Sequence, residues 1–275
     1  MSFRLFHKGS KAPGTTVPAV NLTETRGVGI RIQSLNKQFG SNHVLKELNL
    51  EIRAGETFSI IGPSGTGKSV LLKLIVRLDA PDSGQIYVDD RPLFDADGAV
   101  AHAEWFRCSM VFQSSALFNS LTVGENVGLW LRDKRICREE EIRRIVAQKL
   151  ALVGLEGKEG LKSSELSGGM KKRVAIARSL AMNPDLILYD EPTAELDPVN
   201  ADELANTIIA LRRISKNTTV IVTHDLNFAL YLSDRIAMIH DGRIVEVGTP
   251  AELKNSANPI VRNFIYTTTK GIKGS

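Results

Sequence analysis

Residues 62–69 read Gly62-Pro63-Ser64-Gly65-Thr66-Gly67-Lys68-Ser69, which has the form G-x-x-x-x-G-K-[ST]. The apolar run Thr57-Phe-Ser-Ile-Ile61 before it predicts a buried strand, and Val70-Leu-Leu-Lys-Leu-Ile-Val76 after it predicts a helix. A strand, a glycine-rich loop and a helix in this order form the context in which such a loop holds phosphate. The sequence therefore predicts a P-loop that binds a nucleoside triphosphate.

The residue types of this loop explain why it suits phosphate. Its glycines let backbone N–H groups turn inward as an anion nest, and the following helix adds the positive end of its dipole. Lys68 is long enough to reach the β- and γ-phosphates, and the Ser69 hydroxyl is a candidate Mg²⁺ ligand. The candidate phosphate-binding set therefore runs from Gly62 to Val70.

The chain has 275 residues, enough for one large α/β domain with a subdomain. Hydrophobic residues make up 43% and charged residues 24%, as in ordinary globular proteins. No run approaches the ~18 apolar residues that a membrane-spanning helix needs. The net charge of +4 comes from 35 basic and 31 acidic residues that are interspersed, which argues against nucleic-acid binding. Cys108 and Cys137 lack metal-site spacing and predict two reduced thiols.

The composition changes along the chain and suggests its organisation. Residues 1–29 predict a flexible leader, for which an anionic membrane contact and a short organellar targeting segment stay open. Residues 30–250 alternate apolar strands with helical patterns, which predicts one α/β domain with a mainly parallel sheet. A helical region is expected at about 114–182. Residues 251–275 form a C-terminal tail, a candidate contact with a second copy or another protein.

A second set of candidate catalytic residues follows the apolar run Leu186-Ile-Leu-Tyr189. Asp190 and Glu191 stand at the tip of this predicted strand, in a Walker B pattern. Asp190 is a candidate for holding Mg²⁺ through water, and Glu191 for positioning or polarising the attacking water. The alternative is that Asp190 and Glu191 merely end a strand in solvent. The P-loop elsewhere in the chain favours the catalytic role.

A second candidate anion site is the loop Leu166-Ser167-Gly168-Gly169-Met170. It precedes the strongly helical run Lys171-Lys-Arg-Val-Ala-Ile-Ala-Arg178, so that Ser167 falls near a helix start. Two anion sites and one nucleotide suggest that this loop serves the nucleotide of another copy of the chain. An ordinary capped helix is the alternative.

Together the P-loop, Leu-Ser-Gly-Gly at 166–169 and Asp-Glu-Pro-Thr at 190–193 resemble the ATPase domain of ABC transporters, over about residues 30–250. The resemblance implies an α/β fold with a RecA-like P-loop NTPase core, an antiparallel β-subdomain and an inserted α-helical subdomain. It also implies ATP and Mg²⁺ as ligands, ATP hydrolysis, and a second copy of the chain that closes head-to-tail over two nucleotides. Membrane permease subunits are the implied partners.

The resemblance assigns four further residues. Gln113 falls at the Q-loop, which binds Mg²⁺ and senses the permease, and Asp197 falls at the D-loop. His224 falls at the switch position that contacts the γ-phosphate, although a lone His at a strand end is more often structural. Phe39 falls where an aromatic side chain stacks on adenine, with a plain core Phe as the alternative. The sequence departs from the family at Glu195, where Gly or Ala is usual in the D-loop.

Finer cues resemble the Mla/Mkl-type ATPases, which power lipid trafficking with MCE-domain proteins. They are the strings at 65–73, 112–126 and 258–264, and Met170 at a position that is usually Gln. This implies a lipid permease, an MCE-domain lipid carrier, in some relatives a STAS-domain protein, and a phospholipid cargo. It also implies a peripheral location on the cytoplasmic face of the inner membrane or the stromal face of a plastid inner envelope.

Three other interpretations remain open at this point. An importer ATPase for polar solutes such as amino acids would share every candidate catalytic residue. A soluble ABC ATPase of DNA repair or translation usually carries two ATPase domains or a long coiled coil, and neither pattern occurs in this sequence. A nucleotide-binding scaffold without turnover would not require Lys68, Asp190, Glu191 and His224 together.

Overall fold

A computed structural model describes residues 25–95, 98, 100 and 105–270. Most of the predicted leader, residues 1–24, lies outside the described residues, as do residues 271–275 of the predicted tail. Over the described ranges, no helix combines the length and the apolar character that crossing a membrane requires.

The elements alternate between strands and helices along most of the chain. The strands are β1 (Ile30–Phe39), β2 (Asn42–Ile52), β3 (Thr57–Ile61), β4 (Ser83–Val88), β5 (Arg91–Pro92), β6 (Cys108–Val111), β7 (Leu186–Asp190), β8 (Thr218–Thr223), β9 (Arg235–His240) and β10 (Arg243–Gly248). The helices are α1 (Lys68–Ile75), α2 (Val123–Asp133), α3 (Glu139–Ala151), α4 (Gly168–Ala181), α5 (Pro198–Ile214), α6 (Leu226–Leu232), α7 (Pro250–Lys254) and α8 (Pro259–Lys270), with a 3₁₀ turn at Ser163–Glu165.

The strands form two sheets, which confirms the predicted α/β class with a mainly parallel sheet and an antiparallel subdomain. The larger sheet has the order β10-β9-β3-β8-β7-β6, in which only β10 is antiparallel to its neighbour. The smaller sheet, β2-β1-β4-β5, is antiparallel throughout. Loops that follow parallel strands meet at one edge of a sheet. The segments after β3, β6, β7 and β8 therefore converge.

The central strands are apolar because both faces of the larger sheet are covered. Every residue of β3, β7 and β8 is buried, as expected for parallel strands between layers of helices. One hydrophobic cluster joins both sheets to α1, and a second joins the larger sheet to α2, α3, α4 and α5. These clusters hold the strand ends that carry the candidate site.

The helical segment between β6 and β7 carries the second candidate anion loop. Its first helix, α2, begins at a capping box in which Thr122 and Glu125 exchange bonds to each other's backbone N–H. Helix α3 buries Ile142, Val146 and Leu150 on one face, which packs with α2 and α4. This packing fixes the direction of α4 relative to the sheet.

Both ends of the described chain pack on this domain. Val28, within the predicted leader, is fully buried, and its N–H and carbonyl bond the Thr218 hydroxyl at 3.0 and 2.7 Å. In the predicted tail, Leu253 and Val261 are fully buried in a third cluster with β9. The ordered domain therefore extends beyond residues 30–250 at both ends.

Candidate nucleotide-binding site

The P-loop connects β3 to α1 and packs against the first β-hairpin. Gly67 caps α1 with φ 97°, in the left-handed region that favours glycine. A Cβ on Gly67 would lie 2.7 Å from Leu45 Cδ2 and 3.1 Å from Val44 Cγ1, so the hairpin leaves no room for a side chain. The loop conformation is therefore fixed by both backbone geometry and packing.

Lys68 is buried at the base of this loop. Its ammonium donates to the carbonyls of Gly62 and Pro63 at 2.8 and 2.9 Å, and lies 3.8 Å from Glu191 Oε1. Burial lowers the pKa of Lys68, while the Glu191 and Asp190 carboxylates act in the opposite direction. A cation held inside a glycine-rich loop is suited to neutralise phosphate charge.

Ser69 and Asp190 meet at the start of α1. The Ser69 hydroxyl donates to Asp190 Oδ1 at 2.8 Å. Burial raises the pKa of Asp190, and the hydrogen bond from Ser69 lowers it. Gln113 lines a cleft together with Ser69, so that Ser69, Asp190 and Gln113 offer hydroxyl, carboxylate and amide oxygens. Such a set suits a Mg²⁺ ion whose coordination is completed by nucleotide phosphates rather than by protein alone.

Glu191 and His224 form a hydrogen-bonded pair. His224 Nδ1 lies 2.8 Å from Glu191 Oε2, and the His224 backbone N–H donates to the same oxygen at 3.1 Å. Glu191 has φ 45°, in the left-handed region, and its N–H donates to the Val222 carbonyl at 2.9 Å. Non-glycine residues in this conformation concentrate at functional sites. The turn directs the carboxylate from the strand end toward Lys68 and His224.

A cleft of about 350 Å³ brings six residues of the P-loop set together with Gln113 and Glu191. It is lined by Val44, Ser64, Gly65, Gly67, Lys68, Ser69, Val70, Gln113 and Glu191. Val44 was not anticipated from the sequence, because its place beside the P-loop depends on a contact between distant segments. The only signal available was its position just after the β1–β2 turn.

The candidate adenine contact, Phe39, ends β1 opposite Asn42 and is 50% exposed. It is absent from the cleft lining, although Val44 of the same hairpin contributes to it.

We expect Phe39→Ala to weaken ATP binding by about 1–2 kcal/mol, because stacking of an aromatic ring on a base contributes this much. Isothermal titration with ATP in EDTA measures the change. A matched control is Phe118→Ala, which removes an exposed ring outside the cleft. An unchanged Kd for Phe39→Ala would show that Phe39 does not stack on adenine.

The Leu-Ser-Gly-Gly loop and the D-loop lie side by side, outside this cleft. Ser167 caps α4 and accepts a bond from the Met170 N–H at 3.2 Å, while Asp197 caps α5 through Asn200. Hydrogen bonds from Asn200 lower the pKa of Asp197. A Cβ on Gly169 would lie 2.5 Å from Asn200 Oδ1, so a side chain here would displace the Asn200 amide where α5 approaches α4. Gly168 lies next to Leu196.

A family model described as "ABC transporter" matches residues 45–194. The protein Trigalactosyldiacylglycerol 3, chloroplastic, of Arabidopsis thaliana is 38% identical, over 94% of this chain and 79% of that protein. The probable ribonucleotide transport ATP-binding protein mkl of Mycobacterium tuberculosis is 38% identical, over 87% and 67%. The L-cystine import ATP-binding protein TcyN of Bacillus subtilis is 41% identical, over 86% and 92%.

Solved structures of ATP-binding cassettes are also similar to this chain. A dimeric ATP-binding cassette in a post-hydrolysis state, bound to ADP and phosphate, superimposes with a TM-score of 0.71 at 35% identity. The match covers 80% of this chain and 98% of that one. Cassettes of this kind dimerise and work with membrane permease subunits. The chain belongs to the ABC transporter family and is the ATP-binding, ATP-hydrolysing subunit of such a transporter.

Proposed function

We propose that this ATPase drives the movement of phospholipid between membranes, through a permease that works with an MCE-domain carrier. The observation that carries this proposal is the 38% identity to Trigalactosyldiacylglycerol 3, which extends over 94% of the chain. That protein is named after a galactosylated diacylglycerol lipid. Met170 and the strings at 65–73, 112–126 and 258–264 support the same subfamily.

We further propose that hydrolysis occurs in a composite site between two copies. Lys68 would bind the phosphates, and Ser69, Asp190 and Gln113 would hold a Mg²⁺ ion, which would neutralise part of the phosphate charge. Glu191, oriented by His224, accepts the proton of the attacking water. The loop at 167–169 and Asp197 of the second copy complete the site. The 167–169 loop and Asp197 lie together and outside the cleft of their own chain, which supports their role in the site of the other copy.

The proposed assembly lies on the cytoplasmic face of an inner membrane or the stromal face of a plastid inner envelope. Its other members are the permease, the MCE-domain carrier and, as in some relatives, a STAS-domain protein. Helix α8 is a candidate contact surface for a partner or the second copy, since Tyr266 on it is 55% exposed.

Purification of the chain with its native partners tests which cargo the transporter moves. The tagged chain is expressed in its own organism and purified from membranes in mild detergent, and co-purifying proteins and lipids are identified by mass spectrometry. We expect a multi-span permease, an MCE-domain protein and enriched phospholipid. A Lys68→Met chain purified in parallel controls for contacts that do not depend on the nucleotide cycle. Recovery of an amino-acid-binding protein without any MCE-domain protein would contradict the lipid proposal.

The second candidate function is import of a polar solute. The 41% identity to the L-cystine import protein supports it, over 92% of that protein. The two functions differ in what stimulates the ATPase activity of the reconstituted complex. An importer responds to a soluble binding protein loaded with its solute, whereas a lipid transporter responds to phospholipid.

A further inference from the structure

Helix α4 holds the Q-loop through two cationic side chains. The Lys172 ammonium donates to the carbonyl of Gln113, and Arg178 donates to the carbonyls of Ser115 and Ala116 at 3.0 and 2.7 Å. Ser115 and Ala116 have φ 63° and 45°, in the left-handed region although neither is glycine. The loop that carries Gln113 is therefore bonded to the helix that begins at the Leu-Ser-Gly-Gly loop.

Lys172 differs from Arg178 in its charged surroundings. Lys172 is only 5% exposed. Burial lowers its pKa, and the carboxylates of Glu195, Asp190 and Glu191 oppose that change, with Glu195 the strongest of the three. For Arg178, burial alone accounts for the lowered pKa. A buried ammonium is costly unless it is bonded and compensated by opposite charge, and Lys172 has both.

Glu195 belongs to the D-loop, which packs on the beginning of α4. It has φ 66° and is exposed, and its neighbour Leu196 lies against Gly168. The D-loop and the Q-loop thus both contact α4: Leu196 lies against Gly168, about one helical turn before Lys172, and Lys172 bonds the Gln113 carbonyl. Glu195 is also a position at which the sequence departs from the usual D-loop pattern.

We propose that Lys172 is a positioning residue, which links the Gln113 carbonyl of the Q-loop to the charge of Glu195 in the D-loop. It acts through these two groups and is not among the residues that line the cleft. The carboxylate that is unusual in this D-loop is offset by an ammonium of the same chain, so that both loops keep their place relative to α4. The inference rests on the proposed role of Gln113 as a Mg²⁺ ligand.

The test is a double-mutant cycle of ATPase activity in the full chain, with Lys172→Met, Glu195→Ala and both together. We expect Lys172→Met to lower kcat about tenfold, as for loss of a charge-assisted hydrogen bond, and to raise the Mg²⁺ concentration for half-maximal rate. ATP affinity in EDTA stays unchanged. Lys172→Arg restores most of the activity. Glu195→Ala lowers kcat about threefold in the native background, and has no effect once Lys172 is Met.

Arg178→Met is the matched control, because it removes bonds to the same loop without a carboxylate partner. In that background the effect of Glu195→Ala must persist. If Lys172→Met fails to fold, Lys172→Gln, which keeps a donor without charge, replaces it. Additive effects of the Lys172 and Glu195 changes overturn the proposal. Gln113→Ala tests the Mg²⁺-ligand role of Gln113 separately from the positioning role of Lys172. An unchanged Mg²⁺ requirement in Gln113→Ala refutes the ligand role of Gln113. The double-mutant cycle, measured as kcat, still decides the role of Lys172.

Discussion

Glu191→Gln is expected to lower the ATPase kcat by about 10²–10⁴-fold, the contribution typical of a general base. The change is nearly isosteric, so the left-handed turn and the bond from the Glu191 N–H to Val222 should persist. It also removes a negative charge 3.8 Å from the Lys68 ammonium. ATP should then bind without being hydrolysed, and the closed dimer should accumulate.

Two measurements check this prediction. Steady-state phosphate release reports turnover, and size-exclusion chromatography with Mg-ATP reports the dimer. Glu203→Gln is a control, since this exposed carboxylate pairs with Arg173 away from the cleft and its loss should change neither result. Native turnover in Glu191→Gln, or only monomer with Mg-ATP, would contradict the role given to Glu191.

Lys68→Met is expected to lower kcat/KM for ATP by at least about 10²-fold, the effect of removing one electrostatic donor from a charged transition state. Methionine fills a similar volume but leaves the phosphates without their buried cation. It also removes the bonds to the carbonyls of Gly62 and Pro63. We therefore expect ATP to stabilise the folded variant much less, because the stabilisation grows with the logarithm of 1 + [ATP]/Kd and the variant has a larger Kd.

Thermal unfolding with and without ATP separates these effects from misfolding. The variant should unfold cooperatively alone and gain little in Tm from ATP, whereas the native chain gains clearly. Lys73→Met, on the exposed face of the same helix, should keep most of the activity and the ATP-dependent gain. Equal losses in both variants would mean that net charge near α1, rather than the position of Lys68, supports binding.

Local patterns predicted the parts of the fold that depend on neighbouring residues. The apolar runs of β3 and β7 are recognisable because each strand is buried on both faces. Strand β6 has only four residues and was not predicted, since its pairing with β7 supplies the order that its own sequence lacks. Helices α7 and α8 were placed in a tail, because only contact with β9 shows which of their residues are buried.

The sequence alone identifies the candidate chemical groups: a P-loop with Lys68 and Ser69, and Asp190 and Glu191 at a strand end. Each of these motifs is local, because its residues are neighbours in the chain. The tertiary structure brings distant segments to these motifs. It put Val44 beside Gly67, aligned His224 with Glu191, and set Lys172 against the Gln113 carbonyl. Such contacts depend on strand order and helix packing, which no short segment encodes.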